Sequence, residues 1–286
     1  MSTKIVNLIG RQFEIEGVGP DDSYFLGLGD GTDMDFTTVV RNFLPSNSIA
    51  LDIGANIGIT SCILGQQLTE GRVYSYEPSP SVFPVLSRNI SRNGLSNVTI
   101  SQNAVGATKG TLGFAGLSAY GHLVNINEDN KKTSEVIVNV ISVDDIVSSL
   151  ALDRIDFIKI DVEGFENDVL TGGQITEINH SPLYYMEFNS FCISAYGRLN
   201  PFELAERVIR EFKFVYLVGI DGTLRGPIID PVMLVHTNIV EQGSVSNLLM
   251  TNSSKRLKIL SLERDRVLAK RNHARRNPWK YLFSPM

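Results

Sequence analysis

Acidic residues close four of the strands that the sequence predicts. They are Asp52, Glu77, Asp161 and Glu187, and each follows a short run of strand-forming residues. In an open α/β sheet the carboxyl ends of the strands meet in one crevice, where ligands bind. Carboxylates gathered there can accept hydrogen bonds from hydroxyl groups, take up a proton as a general base, or attract a cation. We therefore expect one acidic site at one edge of a sheet.

The turn after the first of these strands indicates what the site binds. It reads D-x-G-x-N-x-G from Asp52 to Gly58, and Gly54 allows the chain to turn where a Cβ atom would clash. A dinucleotide-binding turn reads G-x-G-x-x-G and accommodates a pyrophosphate, whereas an acid at the first position repels phosphate and suits a cationic ligand. Glu77 ends the next strand, where an acid can accept two hydrogen bonds from a ribose diol.

Together these features fit S-adenosylmethionine, which has an amino-acid end, a sulfonium and a ribose but no phosphate. The alternative is an ordinary strand-to-helix turn that carries an incidental acid.

The composition argues against several classes of protein. The chain has 286 residues, 43% of them hydrophobic and 20% charged, with a net charge of −5. This composition is typical of a globular protein, and the net negative charge does not favour binding to nucleic acid. Cys62 and Cys192 lie far apart without metal-ligand spacing, which favours a reducing compartment. Residues 1–10 lack a secretory signal, and no window approaches about 20 uninterrupted apolar residues. We expect a cytoplasmic protein that binds no nucleic acid.

Strands and helices alternate from residue 49 onward, which indicates a parallel sheet. The pattern predicts a three-layer α/β sandwich around a seven-stranded, mostly parallel sheet. Phe214–Val218 and Val232–His236 are expected to form its closing antiparallel pair. The five parallel strands are predicted at Ile49–Ile53, Val73–Tyr76, Val98–Gln102, Ile155–Ile160 and Leu183–Met186. Lys159 is unusual inside a strand because a buried ammonium needs a partner. It either reaches a neighbouring acid or lies at an edge of the sheet.

Three regions are expected along the chain. They are an N-terminal hairpin and helix cap at 1–44, a main domain at 45–240 and a basic helical tail at 241–286. In the cap, Arg11–Val18 and Tyr24–Leu28 are predicted to pair as a hairpin, and Asp35–Phe43 is amphipathic and predicted to be helical. We expect this cap to cover the mouth of the site.

Residues 107–141 break the alternation and are interpreted as an insertion near the site. Thr111–Phe114 and Glu135–Val140 have the pattern of strands in a hairpin.

The C-terminal tail is strongly basic, unlike the rest of the chain, with ten basic and two acidic residues between Lys255 and Lys280. A basic amphipathic helix can lie on an anionic membrane or dock on a protein, so peripheral contact through residues 255–283 is one interpretation. A helix packed on its own domain and an unstructured tail are the others.

Several motifs, taken in order, resemble those of the FkbM family of S-adenosylmethionine-dependent methyltransferases. The motifs are D-I-G-A-N-I-G at 52–58, Y-E-P at 76–78, S-R-N-G-L-S-N-V at 91–98, N-A-V-G at 103–106, I-K-I-D-V-E-G-F-E at 158–166 and Y-M-E-F at 185–188. The resemblance covers residues 45–190. It implies a class I methyltransferase (Rossmann-like) fold and methyl transfer, usually to an oxygen of a sugar or a natural-product scaffold.

The resemblance also implies roles for residues at matching positions. The expected cofactor-binding residues are Asp52, Gly54, Asn56 and Gly58 at the amino-acid end, Glu77 at the ribose, and Asn103 and Ala104 beside the adenine. Asp161 would face the transferring methyl, with Glu163 and Glu187 near the acceptor. The general base would be Asp161, Glu163 or a histidine, of which His122 in the insertion is favoured over His180 and His236. The same acids could bind Mg²⁺, but no metal site is predicted.

Three other functions compete with O-methylation of a hydroxylated small molecule or glycan. The chain could be a non-catalytic module of the same fold that is recruited through its basic tail; the intact Asp52, Glu77 and Asp161 argue against this. A nicotinamide-dependent oxidoreductase is disfavoured because G-x-G-x-x-G and a Tyr-x-x-x-Lys pair are absent. An N-methyltransferase is disfavoured because no Asn/Asp-Pro-Pro-Tyr motif follows the fourth strand, where the chain reads D-V-E-G.

Overall fold

A computed structural model describes residues 2–116, 121–124 and 136–257. The strands are β1 (Thr3–Leu8), β2 (Arg11–Glu16), β3 (Ile49–Ile53), β4 (Arg72–Tyr76), β5 (Val98–Ser101), β6 (Ala104–Val105), β7 (Gly110–Ala115), β8 (His122–Val124), β9 (Val136–Ile141), β10 (Phe157–Ile160), β11 (Leu183–Asn189), β12 (Phe214–Val218), β13 (Leu224–Arg225) and β14 (Val245–Thr251). The helices are α1 (Ser23–Gly27), α2 (Met34–Phe43), α3 (Ile59–Gln67), α4 (Phe83–Arg92), α5 (Val143–Ser149), α6 (Glu166–Thr171), α7 (Gln174–His180), α8 (Ser190–Ala195), α9 (Pro201–Glu211) and α10 (Pro231–His236), followed by a π-helical turn at Thr237–Glu241.

An eight-stranded mixed sheet forms the centre of the fold. Its order is β13-β12-β14-β11-β10-β3-β4-β5. The strands β5, β4, β3, β10 and β11 run parallel, and β14 lies antiparallel between β11 and β12. Large buried apolar clusters pack on this sheet and its helices. The α/β class and the mostly parallel sheet are confirmed, and the strand beyond the predicted seven is the two-residue edge strand β13.

The predicted closing strand is wrong in position. Val232–His236 lies in helix α10, because Asp230 caps the helix by accepting a hydrogen bond from the Val232 N–H and Pro231 takes its first position. The antiparallel strand is β14, which pairs with β11 on one side and β12 on the other. Residues 245–251, predicted as part of the tail, therefore belong to the central sheet.

The N-terminal hairpin also differs from the prediction. It pairs β1 with β2, whereas the expected return strand Tyr24–Leu28 lies largely in helix α1. Asp22 starts this helix by accepting a hydrogen bond from the Phe25 N–H at 3.2 Å. Helix α4 holds the hairpin: Asn89 accepts a hydrogen bond from the Glu16 N–H at 2.8 Å, and Arg88 lies 2.7 Å from the Glu16 carboxylate.

A second, four-stranded sheet has the order β6-β9-β7-β8. The two strands predicted in the insertion are confirmed as β7 and β9, which pair antiparallel.

Near the end of the described residues, the Arg256 side chain contacts the Asp156 carboxylate at 2.7 Å. The rest of the predicted basic helix, from residue 258, lies outside the described residues. Within the described ranges, no helix is both long and apolar enough to span a bilayer.

Candidate active site

A cavity of about 310 Å³ lies at the carboxyl ends of β3, β4, β10 and β11. The N-terminal region contributes to its wall through Tyr24, Asp33 and Asp35. The insertion contributes Phe114 and His122. Nine of the predicted site residues line the cavity: Gly54, Asn56, Glu77, Asn103, Ala104, His122, Asp161, Glu163 and Glu187. The predicted acids are thus brought together at one edge of the sheet.

Gly54 makes the tight turn after β3. Its φ of +79° is left-handed, and a Cβ atom there would lie 1.7 Å from the Asp161 carbonyl oxygen. Asn56, two residues later, also has a left-handed φ of 48°. Its side-chain oxygen is buried and has no hydrogen-bond partner among the described residues. Because buried polar atoms are nearly always paired, this oxygen can accept a hydrogen bond from a ligand in the cavity.

Lys159 is paired with acids inside the sheet. Its Nζ donates to the Gly54 carbonyl oxygen at 2.6 Å and lies 3.3 Å from Asp161 Oδ2 and 3.7 Å from Asp52 Oδ1. Burial alone would lower the pKa of Lys159, but the charges of Asp161 and Asp52 outweigh it and raise the pKa above its ordinary value. Lys159 therefore lies in the middle of the sheet as a charged group, and the interpretation as a residue at a sheet edge is wrong.

Asp52 and Gly58 lie outside the cavity lining, so their contact with a cofactor stays a prediction. Asp52 is fully buried and accepts hydrogen bonds from Thr60 Oγ1 at 2.9 Å and Ser61 Oγ at 2.6 Å. Asp52 lies 3.7 Å from the Lys159 ammonium, which donates a hydrogen bond to the Gly54 carbonyl oxygen in the turn after β3. Gly58 has a φ of +98°, and a Cβ atom there would lie 2.7 Å from Leu86 Cδ1, so this glycine allows close packing of α4.

Glu77 has the geometry of a diol acceptor. Its Oε2 accepts a hydrogen bond from the Asn56 N–H and its Oε1 from the Ser79 N–H, both at 2.9 Å. Burial raises the pKa of Glu77 to about 7 although these hydrogen bonds oppose the shift. Each carboxylate oxygen retains lone-pair capacity for another donor, so the side chain can accept two hydroxyl groups at once.

Three carboxylates face one another on the other side of the cavity. One oxygen each of Asp161, Glu163 and Glu187 lies within 4.8 Å of the others. Burial, followed by the charge of Asp161, raises the pKa of Glu163 to about 7. The same two causes raise the pKa of Glu187 well above its ordinary value. Cys192 donates its thiol hydrogen to Glu163 Oε2 at an Sγ–O distance of 2.9 Å. The three acids offer oxygen ligands to a divalent cation, although Lys159 already neutralises Asp161.

His122 is the candidate among the three histidines that lines the cavity. Its ring stacks on Tyr196 with centroids 3.7 Å apart and planes 11° from parallel. His180 and His236 lie at the ends of α7 and α10 and are not part of the cavity wall.

Several wall residues were missed from the sequence. Asp35, at the start of α2, accepts hydrogen bonds from Tyr185 Oη at 2.6 Å and Asn247 Nδ2 at 2.8 Å. The available signal was the acid-rich run D-G-T-D-M-D at 30–35, but nothing in the sequence places it over the sheet. Asn247 falls in the segment that the sequence predicts to be the tail. The cavity wall also includes Tyr24, Asp33, Phe36 and Tyr185.

The sequence profile of the methyltransferase FkbM domain matches residues 52–213, more than half of the chain. The chain belongs to the FkbM methyltransferase family. The matched region of this FkbM domain begins at Asp52 and includes Glu77, Asp161 and Glu187. The resemblance seen in the motifs is thereby confirmed.

Curated relatives of this FkbM protein include methyltransferases. Methyltransferase sdnD of Sordaria araneosa is 31% identical over 45% of this chain and 61% of its own length. The hexuronic acid methyltransferase AglP of Haloferax volcanii is 28% identical over 44% of this chain and 50% of its own length. The chain thus spans between half and about three fifths of these relatives. The crystal structure of an FkbM methyltransferase from Methylobacillus flagellatus KT shares 18% identity, with a TM-score of 0.45, over 72% of this chain and 44% of that one.

Proposed function

We propose that the protein transfers a methyl group from S-adenosylmethionine to a hydroxyl oxygen of a sugar or a natural-product-like small molecule. The observation that carries the proposal is the pairing of two acidic groups across one cavity. Glu77 can accept a diol on one side, and Asp161, Glu163 and Glu187 lie together on the other. Family membership and methyltransferase relatives support the reaction class, and the hexuronic acid specificity in the name of AglP supports a sugar acceptor.

The cavity residues fit this cofactor chemically. The ribose hydroxyls would donate to Glu77, and the adenine would lie beside Asn103 and Ala104. The ammonium of the amino-acid end would satisfy the unpaired side-chain oxygen of Asn56 near Gly54. The negative wall suits a ligand with a sulfonium and an ammonium group. When bound, S-adenosylmethionine supplies a methyl group that is already strongly activated by its positive sulfur.

The protein's contribution is to orient the acceptor and remove its proton. Holding the hydroxyl oxygen in line with the methyl group supplies much of the rate acceleration. A general base works best when its pKa is near the working pH, and burial raises the pKa of Glu163 to about 7. Asp161 forms an ion pair with Lys159 at 3.3 Å and would favour the positive charge of the donor. We therefore assign proton removal to Glu163 rather than to Asp161 or His122.

A methyl-transfer assay tests this function. The protein is incubated with S-adenosylmethionine and amine-free sugars and alcohols, and mass spectrometry detects products heavier by one methylene group. Glu163→Gln is expected to lower kcat about 100-fold because it removes the base. Glu206→Gln removes a carboxylate from an exposed face of α9 and is expected to leave kcat unchanged. Failure of the folded protein to methylate any of these hydroxyl acceptors, although it binds S-adenosylhomocysteine, would overturn O-methylation.

A further inference from the structure

Asp33 occupies an unusual position for an acidic residue. It precedes helix α2, where an aspartate normally accepts a hydrogen bond from the first backbone N–H groups, yet its side chain makes no such cap. Its backbone is left-handed, with a φ of 50°. Its carboxylate has no hydrogen-bond partner within the described ranges and lines the cavity. The Asp33 carboxylate can therefore accept hydrogen bonds from a ligand in the cavity.

The position of Asp33 is fixed by its neighbour Asp35. The Asp35 carboxylate accepts hydrogen bonds from Tyr185 in β11 and Asn247 in β14, both strands of the central sheet. Phe36 packs edge-on against the Tyr185 ring, with centroids 5.0 Å apart. These contacts attach the start of α2 to the sheet, so Asp33 is held over the cavity by the fold rather than by a free loop.

The ionisable groups around Asp33 are predominantly acidic. Six carboxylates line the described cavity wall: Asp33, Asp35, Glu77, Asp161, Glu163 and Glu187. The lysine in this wall is Lys159, which is already paired with two acids. Burial, followed by the charge of Asp35, raises the pKa of Asp33 to about 7, as expected where like charges crowd together.

The carboxylates of the cavity wall can be assigned either to the cofactor or to the methyl acceptor. Glu77 is assigned to the cofactor ribose, and the Asp35 carboxylate is used within the protein. Asp33 is then left, with Glu163 and Glu187, to meet the acceptor. A carboxylate or phosphate on the acceptor would be repelled by this wall, whereas hydroxyl and ammonium groups can donate hydrogen bonds to it.

We propose that Asp33 is a specificity-determining residue that selects acceptors without a negative charge, so that the acceptor is a polyhydroxylated molecule that is neutral or carries a protonated amine. This inference rests on the proposed methyl-transfer function and adds the charge class of its substrate. It differs from the acid acceptor in the name of the relative AglP.

The test uses acceptors that differ in one charge. The probes are methyl hexopyranosides of the gluco, galacto and manno configurations, each with a hydroxyl, an amine or a carboxylate at C6. Release of S-adenosylhomocysteine gives kcat/KM for each probe, and mass spectrometry of O-methylated product confirms the transfer. The wild type is expected to prefer the amine and hydroxyl probes over the carboxylate probe by about tenfold or more.

Asp33→Asn is the diagnostic variant because asparagine tolerates the left-handed backbone best after glycine. It is expected to reduce the preference for the amine over the carboxylate about tenfold, and Asp33→Gly removes the carboxylate in a second way. Asp30→Asn is the matched control, since it removes a negative charge from an exposed position on the same segment. Circular dichroism and affinity for S-adenosylhomocysteine verify that each variant is folded.

The outcomes separate the two proposals. Equal or better turnover of the carboxylate probes would overturn the role of Asp33, as would an unchanged preference in the folded Asp33 variants. Binding of S-adenosylhomocysteine without turnover of any hexopyranoside would overturn the acceptor class. Failure of the folded wild type to bind S-adenosylhomocysteine would instead overturn the proposed function.

Discussion

Lys159→Met provides a quantitative test of the ionic network beneath the site. The variant removes an ammonium that lies 3.3 Å from Asp161 Oδ2 and 3.7 Å from Asp52 Oδ1 and donates to the Gly54 carbonyl oxygen at 2.6 Å. Removing one partner of a buried ion pair costs about 3–5 kcal/mol, because a buried charge remains without its counter-ion. The hydroxyl groups that still donate to Asp52 reduce this cost, so we expect a loss of about 3 kcal/mol.

Urea unfolding monitored by circular dichroism measures this loss in the free energy of unfolding. The folded state raises the pKa of Lys159, so its contribution is fully present below the unfolded value of about 10.5 and is lost as the pH rises through the folded value. The deficit of the variant should therefore be constant around neutral pH and shrink only above about pH 10.5. Lys255→Met, at an exposed position, is the control. A deficit below about 1 kcal/mol would refute the argument that this pair is buried and essential.

Three further predictions concern the cavity itself. Affinity for S-adenosylhomocysteine should fall about tenfold between about pH 8 and pH 6, because Glu77 has a pKa of about 7 and must be ionised to accept both hydroxyls; calorimetry giving a flat profile would contradict this. Gly54→Ala should lower the free energy of unfolding by more than about 2 kcal/mol, because the added Cβ atom would lie 1.7 Å from the Asp161 carbonyl oxygen. Gly94→Ala is the control, since Gly94 also has a positive φ but open space around it, and should cost about 1 kcal/mol. Thermal unfolding measures both losses. Methyl transfer should survive EDTA because Lys159 already neutralises Asp161, and an activity lost to EDTA and restored by Mg²⁺ would refute that assignment.

The parts of the fold that local pattern determines were predictable. Ile49–Ile53 was predicted to the residue, because a buried parallel strand is a short apolar run that ends at a glycine turn. Glu77 and Asp161 follow such strands directly, so their convergence follows from the geometry of a parallel sheet. Glu187 lies within the longer strand β11 rather than beyond its end, but it still lines the cavity.

The errors arise where a local signal competes with tertiary structure. Val232–His236 is a short, mostly apolar run of strand length, but Asp230 and Pro231 start a helix there. Asp33 and Asn247 are far apart in the sequence, and only the docking of α2 on β11 and β14 brings them to one cavity. Local pattern also does not reveal the partners of Asp52: Thr60 and Ser61 donate hydrogen bonds to its buried carboxylate, and the Lys159 ammonium lies 3.7 Å away.

Calorimetric binding of S-adenosylhomocysteine, measured beside NAD⁺, tests the central claim most directly. We expect micromolar affinity for S-adenosylhomocysteine and none for NAD⁺. Glu77→Gln should weaken binding at least about tenfold, because the amide cannot accept from both backbone N–H groups and from both ribose hydroxyls. Glu70→Gln, at an exposed position, should bind as the wild type does. Absence of binding to the folded protein, or an unchanged affinity in Glu77→Gln, would contradict the assignment of this cavity to the cofactor.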